Sequence, residues 1–275
     1  MSQLTANTAD NSSDGLTDTH RSSTLESLTY IAIAWWLAWP VLLIGGFVWG
    51  LFNAGEGVRQ HIPIVGRIGS SLVLVVAAWA FAGLSIPGFA RFYAVLVAVG
   101  MTLGFWGDVF NAGLLPSVFK EDLVGGIVCF GLGHIAYIVA FWQLGNRAGL
   151  DAPRTRWSAI AAWQVAGAVG WFFVVLVGQE AGFLHWAALP YSLLLAGTAG
   201  VTTGLALGDR RLIVLGLGGA LFLVSDLLLA FEQFRGAFAY AGDFVWLTYG
   251  PAQMLLVFGT LRAFEVLALA RRSTR

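Results

Sequence analysis

Phe92–Leu115 reads FYAVLVAVGMTLGFWGDVFNAGLL, and its only charge is Asp108, sixteen residues in. A helix of about 20 apolar residues crosses the roughly 30 Å hydrocarbon core of a bilayer. This stretch has that length and that character. The pattern returns at Gly219–Phe231, GALFLVSDLLLAF, where Asp226 is again the lone acid. An apolar run that long makes a spanning helix, and an acid inside it needs a reason.

Reading outward, such runs recur along the chain. It is 275 residues long, 58% hydrophobic and 11% charged, with a mean hydropathy of +0.77. Soluble domains are about a quarter charged. The fold class is therefore all-α, a polytopic membrane helical bundle with about eight transmembrane helices and short loops. The expected spans are 30–52, 68–84, 92–115, 123–143, 157–177, 187–207, 212–234 and 243–264. Residues 1–28 are rich in Ser, Thr, Asp and Asn and read as a disordered polar tail. With no basic region ahead of a short apolar stretch, the tail does not resemble a signal peptide. Residues 29–270 read as a single transmembrane helical domain.

Charge narrows the function classes. The formal net charge is zero, which gives no electrostatic case for nucleic acid. One cysteine, Cys129, excludes an intrachain disulfide and a cysteine-pair metal site. Eight spans put both termini on one side. The loops of that side carry eleven of the Lys and Arg residues, and those of the other carry Arg59, Arg67, Lys120 and Arg235. The excess predicts cytoplasmic termini and a multi-pass protein of the cell membrane. Small residues at four-residue spacing, as in GMTLG (Gly100–Gly104) and GVTTGLALG (Gly200–Gly208), read as close helix packing.

With this topology the third and seventh spans run in the same direction. A rise of 1.5 Å per residue puts Asp108 about 24 Å and Asp226 about 21 Å from the cytoplasmic end. A lone charge at such depth costs about 2.5 to 10 kcal/mol, and intramembrane acids point to function by default. Polar residues gather on the same spans. Asn111 follows Asp108 by three residues, one helical face along. Ser225 precedes Asp226, and Gln233 follows it by seven. His134 and Tyr137 are three apart in the fourth span, and Tyr249 and Gln253 four apart in the eighth. Taken singly, Asn111, Ser225 and Gln253 are ordinary interhelical hydrogen-bonding groups. Together the residues of spans three, four, seven and eight predict a small polar chamber. A duplicated four-helix unit would account for two acids four spans apart.

Four pieces carry a family resemblance: GDVFNAGLL (Gly107–Leu115), FGLGHIAYIVAF (Phe130–Phe141), GGALFLVSDLLLAF (Gly218–Phe231) and YGPAQMLLVFG (Tyr249–Gly259). In order and spacing they resemble the YhhN family, which includes the lysoplasmalogenases. Phe110 stands where the family usually has Leu in its GD-x-L core. The resemblance implies hydrolysis of the vinyl ether bond of lysoplasmalogens to a fatty aldehyde and a glycerophospho-alcohol. It also implies a central role for two aspartates, which match Asp108 and Asp226.

Residue chemistry reaches the same place. A vinyl ether is cleaved by protonating its β-carbon, after which water captures the oxocarbenium ion and the hemiacetal collapses. One protonated acid and one base are required. Two carboxyls close together in a low-dielectric site supply both forms, because they do not both ionise. Glycosidases with paired carboxylates pass through a similar cation. Asp108 and Asp226 are thus the catalytic candidates. Asn111, His134, Tyr137, Tyr249 and Gln253 are the candidates for substrate contact. No metal and no cofactor is required. The expected partners are a lysophospholipid substrate and the lipid bilayer.

Two rival classes share some features. A proton-coupled transporter also uses paired membrane acids. A metal-dependent ceramidase-type lipid hydrolase uses several His with an Asp; here only His134 lies inside a span, with His61 and His185 in loops and His20 in the tail. A retinal protein needs an intrahelical Lys, whereas Lys120 falls in a loop.

Overall fold

The computed structural model describes residue 30 and residues 33–55, 58–115, 122–150 and 152–273. The expected tail over 1–28 and the loop residue Lys120 lie outside these. Among the described residues eight helices are long and apolar enough to cross a membrane. They are α1 (Ile33–Asn53), α2 (Ile64–Leu84), α3 (Phe89–Asn111), α4 (Asp122–Arg147), α5 (Pro153–Trp171), α6 (Phe183–Gly208), α7 (Ile213–Arg235) and α8 (Ala241–Ser273). α5 runs on into a wider π-helical turn at Phe172–Leu176. No strand occurs among the described residues.

Helices α2, α3, α4, α6, α7 and α8 close a ring, each packed on the next and α8 back on α2. α5 lies outside, against α6. α1 touches the ring through Trp39 and Leu43, which meet the glycine step at Gly250 of α8. The interior is built from Phe81, Tyr93, Tyr137, Phe141 and Phe222, all fully enclosed. On the outside Trp36, Val41, Phe52, Val65, Phe173 and Phe183 stand exposed. Apolar surface on that scale is mismatched to water and matched to lipid.

Several helix ends differ from the sequence expectation by about four residues or more, among them the starts of α2, α5 and α6 and the end of α4; two of the differences have a clear physical cause. α3 stops at Asn111, four residues early. Gly113 turns into the left-handed region (φ 64°). Its N–H bonds to Phe110 O, and the Leu114 N–H reaches back to Val109 O. That double closure is a Schellman stop, and glycine enters it without a Cβ penalty. Asp108 therefore sits in the last turn of α3. α8 runs nine residues past the expected 264. Arg262 and Glu265, whose charges resemble a helix end, instead pair with each other at 2.9 Å on one helical face. Val266 and Leu267 beyond them are buried, and Arg271 and Arg272 fall in the last turn, where cations suit the helix dipole.

One knot fixes the end of the bundle where α3 and α7 finish. The Asp243 carboxylate, in the first turn of α8, accepts from the backbone N–H groups of His61 (2.8 Å) and Ile62 (3.0 Å) and from Gln60 Nε2 (3.1 Å). His61 Nδ1 lies 2.6 Å from the same carboxylate, and its ring stacks on Tyr240. The α1–α2 connection is thereby held across the start of α8, with Arg59, Gln60 and Arg67 beside it.

Candidate active site

Asp108 is 4% exposed, enclosed by α2, α3 and α8. Ser71 of α2 donates to its Oδ2 at 2.6 Å, and the Tyr249 hydroxyl of α8 donates to the same oxygen at 3.0 Å. Tyr249 is set in turn by Gln253, whose amide N–H donates to the tyrosine oxygen at 3.1 Å. Gln253 Oε1 accepts from the Tyr137 hydroxyl of α4 at 2.8 Å. A single directed chain of hydrogen bonds thus runs from α4 through α8 to Asp108. Space for it comes from the GMTLG stripe. A Cβ at Gly100 or Gly104 would lie 2.6 Å from the Tyr137 ring or the Gln253 amide.

Asp226 is held from α6. The Tyr191 hydroxyl donates to Asp226 Oδ2 in a very short contact. Ser225 Oγ lies 3.1 Å from Oδ1 and 3.0 Å from Phe222 O, so one hydroxyl proton serves two acceptors. The two acids differ in this respect. Asp108 receives both of its donors on one oxygen, while Asp226 meets a hydroxyl at each.

His134 stands behind the acids. Its Nδ1 is 2.9 Å from Thr198 Oγ1, and its buried Nε2 has no partner among the described residues. Its ring packs edge-on against Phe222, with Tyr137 and Tyr191 on either side. His134 thus lies between the two acid networks and bonds to neither.

Asp108 and Asp226 open into one cavity of about 240 Å³. Asn111, Gln233, Glu232, Tyr249, Trp246 and Arg67 also line it. A wider recess of about 520 Å³ lies between the α1–α2 and α7–α8 connections, and Arg59 lines both. Arg67 is half-buried, its guanidinium 5.9 Å from the centre of the Trp246 ring. Arg235, at the same end, is engaged elsewhere, donating to Val174 O and Phe173 O at the end of α5.

The chamber expected from sequence is present, and its members divide. Asp108, Asp226, Asn111 and Tyr249 face the cavity; Tyr137, Gln253 and His134 stand outside its wall. The acids also reach it from different depths along their helices. Counted from the helix starts at Phe89 and Ile213, Asp108 is nineteen residues along α3 and Asp226 thirteen along α7, against the sixteen and fourteen expected. Ser71 and Tyr191 were not legible as partners. Ser71 sits next to Ser70, and Tyr191 next to Ser192, in spans that carry no acid of their own to single them out. Among the described residues no three His, Cys, Asp or Glu side chains converge as metal ligands would.

Eight apolar spanning helices around two hydrogen-bonded carboxyl groups define a multi-pass integral membrane protein with an acid-bearing cavity in its helical bundle. A family model described as the YhhN family matches residues 62–260, and the chain belongs to that family. The lysoplasmalogenase TMEM86A of Bos taurus is 30% identical over 176 residues, covering 62% of this chain and 68% of the relative. The Homo sapiens protein of the same name is 28% identical over 177 residues, with the same coverage of 62% and 68%. No solved structure matches the chain.

Proposed function

We propose that this protein is an integral-membrane ether hydrolase that cleaves the vinyl ether bond of lysoplasmalogens, using Asp108 and Asp226 as an acid–base pair. One observation carries the proposal: two carboxyl groups from separate helices open into a single cavity. The naming of the TMEM86A relatives as lysoplasmalogenases supports the substrate class.

The donors divide the roles. Ser71 and Tyr249 both bond to Asp108 Oδ2, which leaves Oδ1 to carry a proton toward the cavity. Asp226, with a hydroxyl at each oxygen, is stabilised as a carboxylate. Asp108 then delivers its proton to the β-carbon of the vinyl ether, forming the oxocarbenium ion. Asp226 takes a proton from water as the water oxygen adds to the cation. In the hemiacetal, Asp226 returns that proton to the ether oxygen while Asp108 accepts the hydroxyl proton. The carbon–oxygen bond breaks, aldehyde and alcohol leave, and both acids regain their starting forms. Tyr137 and Gln253 act through Tyr249 by fixing its hydroxyl.

Purified protein given alkenyl- and acyl-lysolipids tests the proposal. Free aldehyde from the alkenyl substrate, with no fatty acid from the acyl one, is the expected result. Fatty acid release would make it an esterase, and ion or solute flux without either product would make it a transporter.

A further inference from the structure

We propose that the mouth of the acid-bearing cavity is a zwitterion-binding subsite, in which Arg67 and Arg59 take the phosphate and Glu232 the cationic amine of a lysophospholipid headgroup. This rests on the lysolipid reading of the site and adds the residues that recognise the headgroup.

Three observations carry it. First, Arg59, Arg67 and Glu232 line the cavity that holds the two acids, and none of them forms an ion pair among the described residues. Other arginines are committed to protein groups: Arg211 to Asp209, Arg262 to Glu265, and Arg235 to two backbone carbonyls. Second, Arg67 is half-buried, and its enclosed Nε has no partner. A guanidinium in that position lacks a bidentate acceptor, and two oxygens of a phosphate provide one. Third, charge is layered along the cavity. Glu232 is six residues beyond Asp226, about 9 Å further along α7, and Arg59 joins the cavity to the wider outer recess.

A site for free phosphate would gain nothing from a carboxylate on its rim, because the two would repel. A headgroup bearing both signs uses Arg and Glu together. The knot around Asp243 holds the segment carrying Arg59 and Gln60, so the subsite is positioned before a ligand arrives. With the phosphate held there, the glycerol backbone spans the short remaining distance and brings the sn-1 ether toward Asp108 and Asp226.

The test is calorimetric binding to the full-length protein in detergent micelles, using saturated-ether lysolipids that have no vinyl bond to cleave. The probes are the lysophosphoethanolamine, the lysophosphatidic acid, the alkylglycerol and inorganic phosphate. Expected for R67Q and R59Q is a loss of about tenfold or more for both phosphate-bearing lipids, and no change for the alkylglycerol. R67K retains the charge without the fork and falls between. E232Q weakens the phosphoethanolamine lipid alone, and E232K shifts the preference to the phosphatidic acid. Equal losses for the alkylglycerol would make the arginines packing residues and overturn the proposal. Competition by inorganic phosphate at similar affinity would make this a free-phosphate site. Unchanged discrimination in E232Q would remove the amine arm. Since binding requires no turnover, failure here leaves vinyl ether cleavage standing, and failure of cleavage leaves the subsite standing.

Discussion

Asp108→Asn and Asp226→Asn keep the shape of each side chain but can neither give up an acidic proton nor carry the negative charge. Each is expected to lose about 10²–10⁴-fold in turnover, as removal of a general acid or base does. Both proteins should still elute as folded species in detergent, because replacing a buried carboxyl with an amide leaves a hydrogen-bonding group in place. Near-normal aldehyde release from either would make that aspartate structural. The serines separate the two acids further. Among the described residues Ser71 has Asp108 as its sole acceptor, at 2.6 Å, whereas Ser225 divides its proton with Phe222 O. In steady-state assays Ser71→Ala should therefore lower kcat, and Ser225→Ala should retain substantial activity. The reverse order would contradict the proposed division of roles. At this scale the sequence was informative where a residue was out of place. An acid in an apolar run announces itself through its desolvation cost. A hydroxyl does not, since Ser and Tyr in spanning helices are usually packing or hydrogen-bonding groups, and so Ser71 and Tyr191 emerged only from the fold.

Between helices the Asp243 knot is the feature most open to perturbation. It gathers two backbone N–H groups and two side chains from the α1–α2 connection onto one carboxylate. Asp243→Ala leaves those donors without an acceptor, at about 1–3 kcal/mol for each buried group left unsatisfied. The expected outcome is a lower thermal midpoint in detergent and faster proteolysis between α1 and α2. An unchanged midpoint would show that the connection is held elsewhere. The helices themselves were readable because a bilayer imposes their length. Their ends were less so. The stop of α3 depends on Gly113 taking a left-handed turn, and glycine occurs at many other places in these helices. The run-on of α8 depends on Arg262 and Glu265 pairing with each other rather than meeting solvent separately. Neither signal exists before the backbone is placed. The small-residue stripe Gly100–Gly104 was legible as close packing, but what it packs against, Tyr137 and Gln253, was not.

For the molecule as a whole, the Lys and Arg bias predicts cytoplasmic termini, and the cavity opens at the end where α3 and α7 finish. With that orientation the mouth would face the non-cytoplasmic leaflet. A cysteine at Val58, in a Cys129→Ala background, should react with an impermeant maleimide from outside intact cells. Labelling only after the cytoplasmic face is opened would invert the topology. The central claim concerns a proton. If an enzyme acid protonates the β-carbon of a vinyl ether, the aldehyde formed in heavy water carries one deuterium at carbon 2. The decisive measurement is the deuterium content of aldehyde released from an alkenyl-lysolipid in heavy water, trapped by reduction and read by mass spectrometry. Wild-type protein is expected to release singly deuterated aldehyde, and D108N and D226N are expected to release it about 10²–10⁴-fold more slowly. Aldehyde without deuterium, or singly deuterated aldehyde released at the wild-type rate by either variant, would contradict the two-aspartate account.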